Sequence, residues 1–175
     1  MKIKNLFRTK KQKQSQEKKD YILSNFNGYD YYGNWSNANA LKNSDIFTAI
    51  HVLSSSIATA KIEKFLDGRP YNDSVLNLFN SRPNDFMNGY DFKYIVAANM
   101  LLNGQSFVRI IFNEEGDTES LVFLHNSNVL IEQNEKGGIY KINSDNFNGN
   151  LESHEILHFK YMTLDGFNCF SPLHS

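Results

Sequence analysis

One stretch of the chain contains residues whose types and spacing could do chemistry. His154, Glu155 and His158 stand in the order H-E-x-x-H within "SHEILHFKYM" (153–162). In zinc hydrolases this pattern lies on a helix, where two histidines four residues apart share the metal and the glutamate activates a water molecule. The pattern therefore makes a zinc-dependent hydrolase one candidate function.

The residues around this pattern favour a strand over a helix, because they are rich in aromatic and branched side chains. In a strand, one face would carry Leu157, Phe159 and Tyr161, and the other His154, Ile156, His158 and Lys160. At about 3.3 Å per residue the two histidines would be about 13 Å apart, too far to share one zinc ion. We therefore predict a half-buried strand with solvated histidines, no metal and no catalytic site.

No further residues complete a catalytic site. The extended zinc pattern requires glycine and histidine at positions that hold Tyr161 and Leu164. A nucleophilic pair of Cys169 with His158 or His174 is conceivable, but nothing else in the sequence supports it. The chain also lacks a glycine-rich nucleotide-binding motif and a cysteine cluster, so we predict no cofactor and no enzymatic activity.

The charge of the chain is unevenly distributed. Its formal net charge is −1, yet residues 1–20 carry +6, which leaves −7 for residues 21–175. Much charge and few apolar residues predict a disordered basic arm and linker over 1–40. Lysines of this arm are the candidate contacts to DNA or capsid: Lys10, Lys11, Lys13, Lys18 and Lys19. A small nucleic-acid-binding protein is thus a further alternative, and a merely solvated tail is the other interpretation of the arm.

The cysteine count and the apolar patterning of the sequence indicate the cellular compartment. With 175 residues and one cysteine, the chain suits a single domain without an internal disulfide. It shows no signal peptide and no run of about 20 apolar residues. We therefore expect a protein of the cytoplasm, or assembled in one, with no membrane partner.

We call residues 41–175 the body. The sequence of its first half predicts helices. A helix starts at Asn43 or Ser44, both good N-cap residues, and a short helix over 74–80 follows a break at 67–70. A long helix over about 89–102 ends at Gly104. The inward stripe expected for the first helix is Ile46, Ile50, Leu53, Ile57 and Ala60. The stripe expected for the long helix is Phe92, Ile95, Val96, Ala98 and Met100 or Leu101.

The second half predicts strands. Residues 106–112 and 119–124 form a hairpin around a turn that contains Gly116, and 128–133, 137–142 and 155–162 extend one small antiparallel sheet. The polar stretch 143–150 is expected to be a loop. Helices followed by strands favour an α+β domain over 41–175.

The order of these elements resembles the N-terminal half of a tailed-phage portal protein, the head–tail connector of long-tailed phages. Three stretches carry the resemblance. They are "LKNSDIFTAIHVLSSSIATAKIE" (41–63), the segment 75–132 with its "SRPN", "LLNG" and hairpin, and "EILHFKYMTLDGFNCFSPL" (155–173). In this comparison His158 matches the histidine of a family strand, so half of the zinc pattern is explained without zinc.

The resemblance implies a structural protein of the portal ring at one capsid vertex, with a wing-like α+β fold and no catalytic site. It implies a ring of about a dozen subunits that forms the conduit for DNA packaging, head–tail joining and genome ejection. The implied partners are other portal subunits, the terminase large subunit, capsid and scaffold proteins, the head–tail adaptor and double-stranded DNA. The implied location is the virion, and the host cytoplasm during assembly.

The chain stops where the stem and clip of the family would begin. It is therefore expected to be a truncated piece of a longer protein, the product of a split gene or a degenerate prophage copy. Because much of the family's subunit contact involves the stem, the remaining interface should fall below about 1,000 Å², too small for a stable ring. We expect a folded chain that is monomeric or weakly self-associating.

Overall fold

The computed structural model describes residues 40–134, 137–144 and 147–173, and this part of the chain is an α+β fold, as predicted. The described helices are α1 (Ser44–Thr59), α2 (Ser74–Asn80) and α3 (Gly89–Asn103). None of them is both long and apolar enough to cross a bilayer.

Eight strands accompany these helices in the described residues. They are β1 (Phe65–Leu66), β2 (Arg69–Pro70), β3 (Gln105–Phe112), β4 (Thr118–Leu124), β5 (Val129–Asn134), β6 (Gly137–Ser144), β7 (Phe147–Leu151) and β8 (Ile156–Lys160). Strands β4-β3-β8 form a first antiparallel sheet, and β5-β6-β7 form a second. The prediction of one small sheet was therefore wrong, because two three-stranded sheets pack against each other.

Two segments predicted as irregular are in fact paired. The expected break at 67–70 contains the turn of the β1–β2 hairpin, in which Asp67 and Gly68 adopt positive φ. The expected loop over 143–150 contributes most of β7, whose Phe147 pairs with Ser144. Asn and Gly have low strand propensity, so pairing with β6 has outweighed the local sequence.

Local signals in the sequence fix the ends of the long helices. The Asn43 side chain accepts hydrogen bonds from the backbone N–H groups of Asp45 and Ile46 at 2.9 and 3.4 Å, which caps α1. The Asn88 side chain caps α3 in the same way through Asp91 N–H. Gly104 ends α3 with φ +78°, a conformation that glycine adopts without strain.

The core has three layers of contacts. Helix α1 packs on α3, α3 packs on one face of the first sheet, and the other face of that sheet packs on the second sheet. The last contact depends on strand alternation, since neighbouring residues Phe107 and Val108 of β3 point to opposite faces and are both fully buried. The buried residues at this contact are Phe107, Leu124, Tyr140, Ile142, Leu151 and Ile156.

The buried face of α1 differs from the predicted stripe. Ile50, Ser54 and Ala58 are buried, whereas side chains expected to face inward are exposed. Leu53 and Ile57 are 51% and 45% exposed, and Val52 is 54% exposed. We call Val52, Leu53 and Ile57 the outer face of α1. Because α1 is apolar on two sides, its pattern alone did not determine which side faces α3.

Candidate functional site

The residues of the H-E-x-x-H pattern lie in different surroundings. His154 occupies an exposed turn before β8, with its Nδ1 3.5 Å from the Glu152 carboxylate. Glu155 accepts a hydrogen bond of 2.8 Å from the Glu152 backbone and so closes that turn. His158 lies in β8 opposite Phe107 of β3. Within the described residues, no three side chains of the kinds that bind metals come together.

His158 is not solvated, and that prediction was wrong. Its ring is half-buried, with its centroid 4.5 Å from that of Phe107. The Tyr140 hydroxyl lies 3.3 Å from Nδ1, and the side-chain oxygen Oε1 of Gln105 lies 3.1 Å from Nε2. The second sheet covers this face of β8 and brings Tyr140 onto the histidine, a tertiary contact that strand alternation does not reveal.

His158 is a neutral histidine within these contacts. The Gln105 side-chain oxygen can only accept, so His158 Nε2 donates to it, and Nδ1 of the neutral ring accepts from the Tyr140 hydroxyl. Burial, aided by the positive charge of Lys160, lowers the pKa of His158 from 6.5 to about 4. Burial also raises the pKa of Tyr140, which keeps its proton. At neutral pH the ring therefore joins β3, β6 and β8 through uncharged hydrogen bonds.

Cys169 and His158 do come together, but not as a nucleophile and its base. The sulfur lies 3.9 Å from His158 Nε2, and the thiol also lies 3.5 Å from the Phe167 carbonyl oxygen. Burial raises the pKa of the Cys169 thiol, whereas a reactive cysteine needs a lowered one. The Nε2 atom already carries the proton donated to Gln105 and cannot accept another. His174, the other partner considered, lies outside the described residues.

The loop that carries Cys169 is shaped by an aspartate. The Asp165 carboxylate accepts hydrogen bonds from the backbone N–H groups of Phe167 and Asn168 at 2.8 and 2.7 Å. These bonds lower the pKa of Asp165 to about 2, so it stays ionised at any physiological pH. Gly166 follows with φ +84°. The "DG" pair therefore builds a tight turn.

The end of this loop is fastened to α3. The buried Ser171 hydroxyl donates to the Leu102 carbonyl oxygen at 2.8 Å. A Cβ on Gly104 would stand 2.6 Å from the Phe170 carbonyl carbon, so the two backbones touch. We call this whole arrangement the C-terminal junction. It comprises Gly104, Gln105, Tyr140, His158, Cys169 and Ser171.

Two of the three stretches that resemble the portal family meet at the C-terminal junction. "LLNG" supplies Leu102 and Gly104, and the stretch 155–173 supplies His158 and Ser171. Tyr140 gave no signal of its own, because only the packing of the second sheet brings it to the site. The junction fixes the loop 161–173 against α3 and both sheets, which is a structural task.

A groove with both polar and apolar lining residues is open at the surface of the molecule. It lies between the loop 82–87 and β4 and has a volume of about 520 Å³. The Leu121 backbone N–H donates to the Pro83 carbonyl oxygen at 2.8 Å, which holds the loop against the strand. Phe86 stands at the rim with 96% of its surface exposed. Together with the outer face of α1, this groove leaves apolar surface open to contact.

The arm lysines Lys10, Lys11, Lys13, Lys18 and Lys19 lie outside the described residues. Their contact with DNA or capsid therefore stays a prediction, as does the domain boundary between residues 40 and 41.

A family model described as "Phage portal protein" matches residues 44–175, about three quarters of the chain. No curated protein shows significant sequence similarity to it.

Solved structures share the fold. A chain from the virion of a native gene transfer agent particle matches with a TM-score of 0.63 and 16% identity, over 89% of this chain and 44% of that one. A chain from the neck of a native gene transfer agent particle computed with C12 symmetry matches with a TM-score of 0.60 and 16% identity, over 89% and 44%. A HK97-family phage portal protein from Corynebacterium diphtheriae matches with a TM-score of 0.50 and 16% identity, over 70% and 39%. The chain spans less than half the length of each.

Proposed function

The chain belongs to the phage portal protein family, and from this membership we propose that it is a structural subunit of a portal ring at a capsid vertex. The observation that carries the proposal is the family match, which runs through the whole described body from α1 to the C-terminal loop. The shared fold of the gene transfer agent and HK97-family chains supports it independently.

The proposed task of the ring is to form the conduit through which terminase packages DNA and from which the genome is later ejected. Its partners are then other portal subunits, the terminase large subunit, capsid and scaffold proteins, the head–tail adaptor and double-stranded DNA. The place of action is the virion, after assembly in the host cytoplasm. The C12 symmetry used for the neck of the gene transfer agent particle agrees with a ring of about a dozen subunits.

The site geometry supports a structural role over a chemical one. The histidine and cysteine of the C-terminal junction are held neutral, one by a lowered pKa and the other by a raised pKa. The groove beside Phe86 and the outer face of α1 are two different exposed surfaces, as a head-to-tail ring contact requires.

Genome packaging in a phage that encodes this chain tests the proposal. A Leu102→Asp variant places a charge in the core between α1 and α3, which should unfold the body, because Leu102 is fully buried. We expect normal capsids that contain no DNase-resistant DNA. The matched control is Leu130→Asp, since Leu130 is 60% exposed. Filled particles in normal yield from the Leu102→Asp phage would overturn the proposal.

A further inference from the structure

The β1–β2 hairpin stands apart from both three-stranded sheets. Phe65 pairs with Pro70, and neither strand pairs with any other strand of the described residues. A two-stranded hairpin that nothing covers is only marginally stable in water. Here Phe65 and Leu66 are 58% and 57% exposed. In the described part of the chain, the hairpin thus presents two large apolar side chains that nothing covers.

The base of this hairpin is fastened to the rest of the body. Lys64, directly before β1, forms an ion pair with Asp73, the residue that caps α2. The Asn80 side chain at the end of α2 exchanges hydrogen bonds of 2.9 and 2.8 Å with the backbone of Ile62. At the tip, by contrast, a Cβ on Gly68 would meet nothing within 4 Å. The hairpin therefore has a fixed base and a free tip.

The groove beside Phe86 is preformed by hydrogen bonds of the chain itself. The Asn84 side chain donates to the Leu121 carbonyl oxygen at 2.7 Å and accepts from the backbone N–H groups of Phe86 and Met87 at 2.9 and 3.0 Å. These bonds hold the loop 82–87 on β4 and leave Phe86 exposed at the rim. A volume of about 520 Å³ is in the range of pockets that accept a drug-sized molecule, so the groove can accept two apolar side chains.

Unpaired charges on the hairpin and the groove are complementary. Arg69 pairs with Leu66 in the hairpin, and Glu119 lines the groove. Both are exposed, and neither has an ion-pair partner within the described residues. The outer face of α1 has no cation to offer Glu119, because residues 46–60 contain no Asp, Glu, Lys or Arg. The hairpin therefore suits the groove better than that helix face does.

We propose that the β1–β2 hairpin of one subunit inserts Phe65 and Leu66 into the groove beside Phe86 of the next subunit, where Arg69 pairs with Glu119. The occupant is a second copy, because Phe65, Leu66 and Phe86 are all exposed in a single chain, whose hairpin does not fill its own groove. The inference rests on the proposed ring, in which two different surfaces meet head to tail. One hairpin in one groove covers less than the about 1,000 Å² of a stable complex, so the contact is weak by itself.

Disulfide trapping in the full 175-residue chain tests this contact, because it captures weak association. The double variant Leu66→Cys with Val122→Cys has one thiol on the hairpin and one in the groove. Mild oxidation at micromolar concentration should link copies into a ladder of dimers, trimers and longer species on a denaturing gel. The matched control, Leu66→Cys with Leu130→Cys, has its second thiol at an exposed position on β5 and should give severalfold fewer trimers. The unaltered chain and the single variants measure the background from Cys169.

Charge reversal tests the proposed ion pair in the same assay. Arg69→Glu, added to the double-cysteine variant, should weaken the ladder severalfold, because it would bring a like charge to Glu119. The further addition of Glu119→Arg should restore the ladder. Both positions are exposed, so the body should keep its fold, and circular dichroism checks this.

Three results from folded variants would overturn the proposal. The first is a ladder no stronger than that of the Leu130→Cys control. The second is dimers alone, in equal yield from Leu66→Cys and from the double variant, which would indicate a symmetric contact between two hairpins. The third is a ladder that ignores both charge reversals. None of these results changes the DNA content of Leu102→Asp particles, so the contact and the portal function fail separately.

Discussion

The Ser171 hydroxyl donates a hydrogen bond of 2.8 Å to the carbonyl oxygen of Leu102, and so joins the C-terminal loop to the last turn of α3. The final carbonyl groups of a helix lack partners inside the helix. Here a side chain from the far end of the described body supplies one. The close backbone contact between Gly104 and Phe170 belongs to the same connection.

Replacing Gly104 by alanine should destabilise the body through two effects. Its φ of +78° disfavours any Cβ, and that Cβ would stand 2.6 Å from the Phe170 backbone. We expect the free energy of unfolding in urea to fall by about 2–4 kcal/mol. Gly116→Ala is the matched control, because Gly116 has φ +87° with nothing within 4 Å, and it should cost only about 1 kcal/mol. Equal losses for both variants would contradict the contact.

His158 should make stability depend on pH in a defined window. Its pKa is 6.5 when unfolded and about 4 when folded, so between these values the unfolded chain binds more protons. The contribution of the neutral His158 ring to the free energy of unfolding is complete above pH 6.5 and is lost as the pH falls towards 4. After allowance for solvent screening of the half-buried ring, we expect about 1–2 kcal/mol less stability at pH 5 than at pH 7.5.

Two glutamine variants separate this effect from the titration of other groups. His158→Gln should reduce the difference in unfolding free energy between pH 7.5 and pH 5. His154→Gln should not, because His154 lies in an exposed turn. An unchanged pH dependence in His158→Gln would show that the ring titrates normally in the folded chain.

The sequence predicted features that local chemistry controls. Asn43 as the cap of α1, Gly104 as the end of α3 and the hairpin of β3 and β4 are all confirmed. Features set by packing were missed. Strand β7 is built from residues of low strand propensity, so only its partner β6 reveals it.

At the C-terminal junction, too, the sequence predicted features of local chemistry and missed those set by packing. The motifs shared with the portal family contain Gly104, His158 and Ser171, but the burial of His158 depends on Tyr140 from a sheet that was not predicted. Likewise Leu53 and Ile57 of α1 were predicted to face inward together with Ile50, but only Ile50 of these three is buried against α3.

Elemental analysis of the purified chain tests the zinc hypothesis. We expect zinc well below one ion per chain, unchanged in His154→Ala, because His154 and His158 lie in different surroundings and no third ligand joins them in the described residues. Near-stoichiometric zinc that disappears in His154→Ala would restore the hydrolase hypothesis.

Retardation of duplex DNA tests the basic arm. If the arm binds DNA, each phosphate it neutralises contributes about −0.9 to the slope of log K against log salt. Alanine replacement of the arm lysines should then abolish retardation: Lys10, Lys11, Lys13, Lys18 and Lys19. The control replaces the exposed Lys61 and Lys141 of the body, which carries a net negative charge. Equal retardation by both variants would remove the arm from DNA binding.

Light scattering tests how much of the ring contact this chain holds. It spans less than half of the gene transfer agent and HK97-family chains, so we expect monomers or weak self-association at micromolar concentration. The chain extended by the next segment of its parent gene, where one exists, should form rings of about a dozen subunits. Closed rings from the 175-residue chain would show that its own surfaces suffice.

The position of the second sheet in the chain has a consequence for folding kinetics. Strands β5, β6 and β7 pair only with their neighbours in sequence, so this unit can form quickly from local contacts. It is inserted between β4 and β8, and β8 must pair with β3 across it. Once formed, the inserted unit brings its own ends together and shortens the loop that β8 has to close. The pairing of β8, and with it the docking of Ser171 on α3, is therefore expected to be a late event that depends on the second sheet.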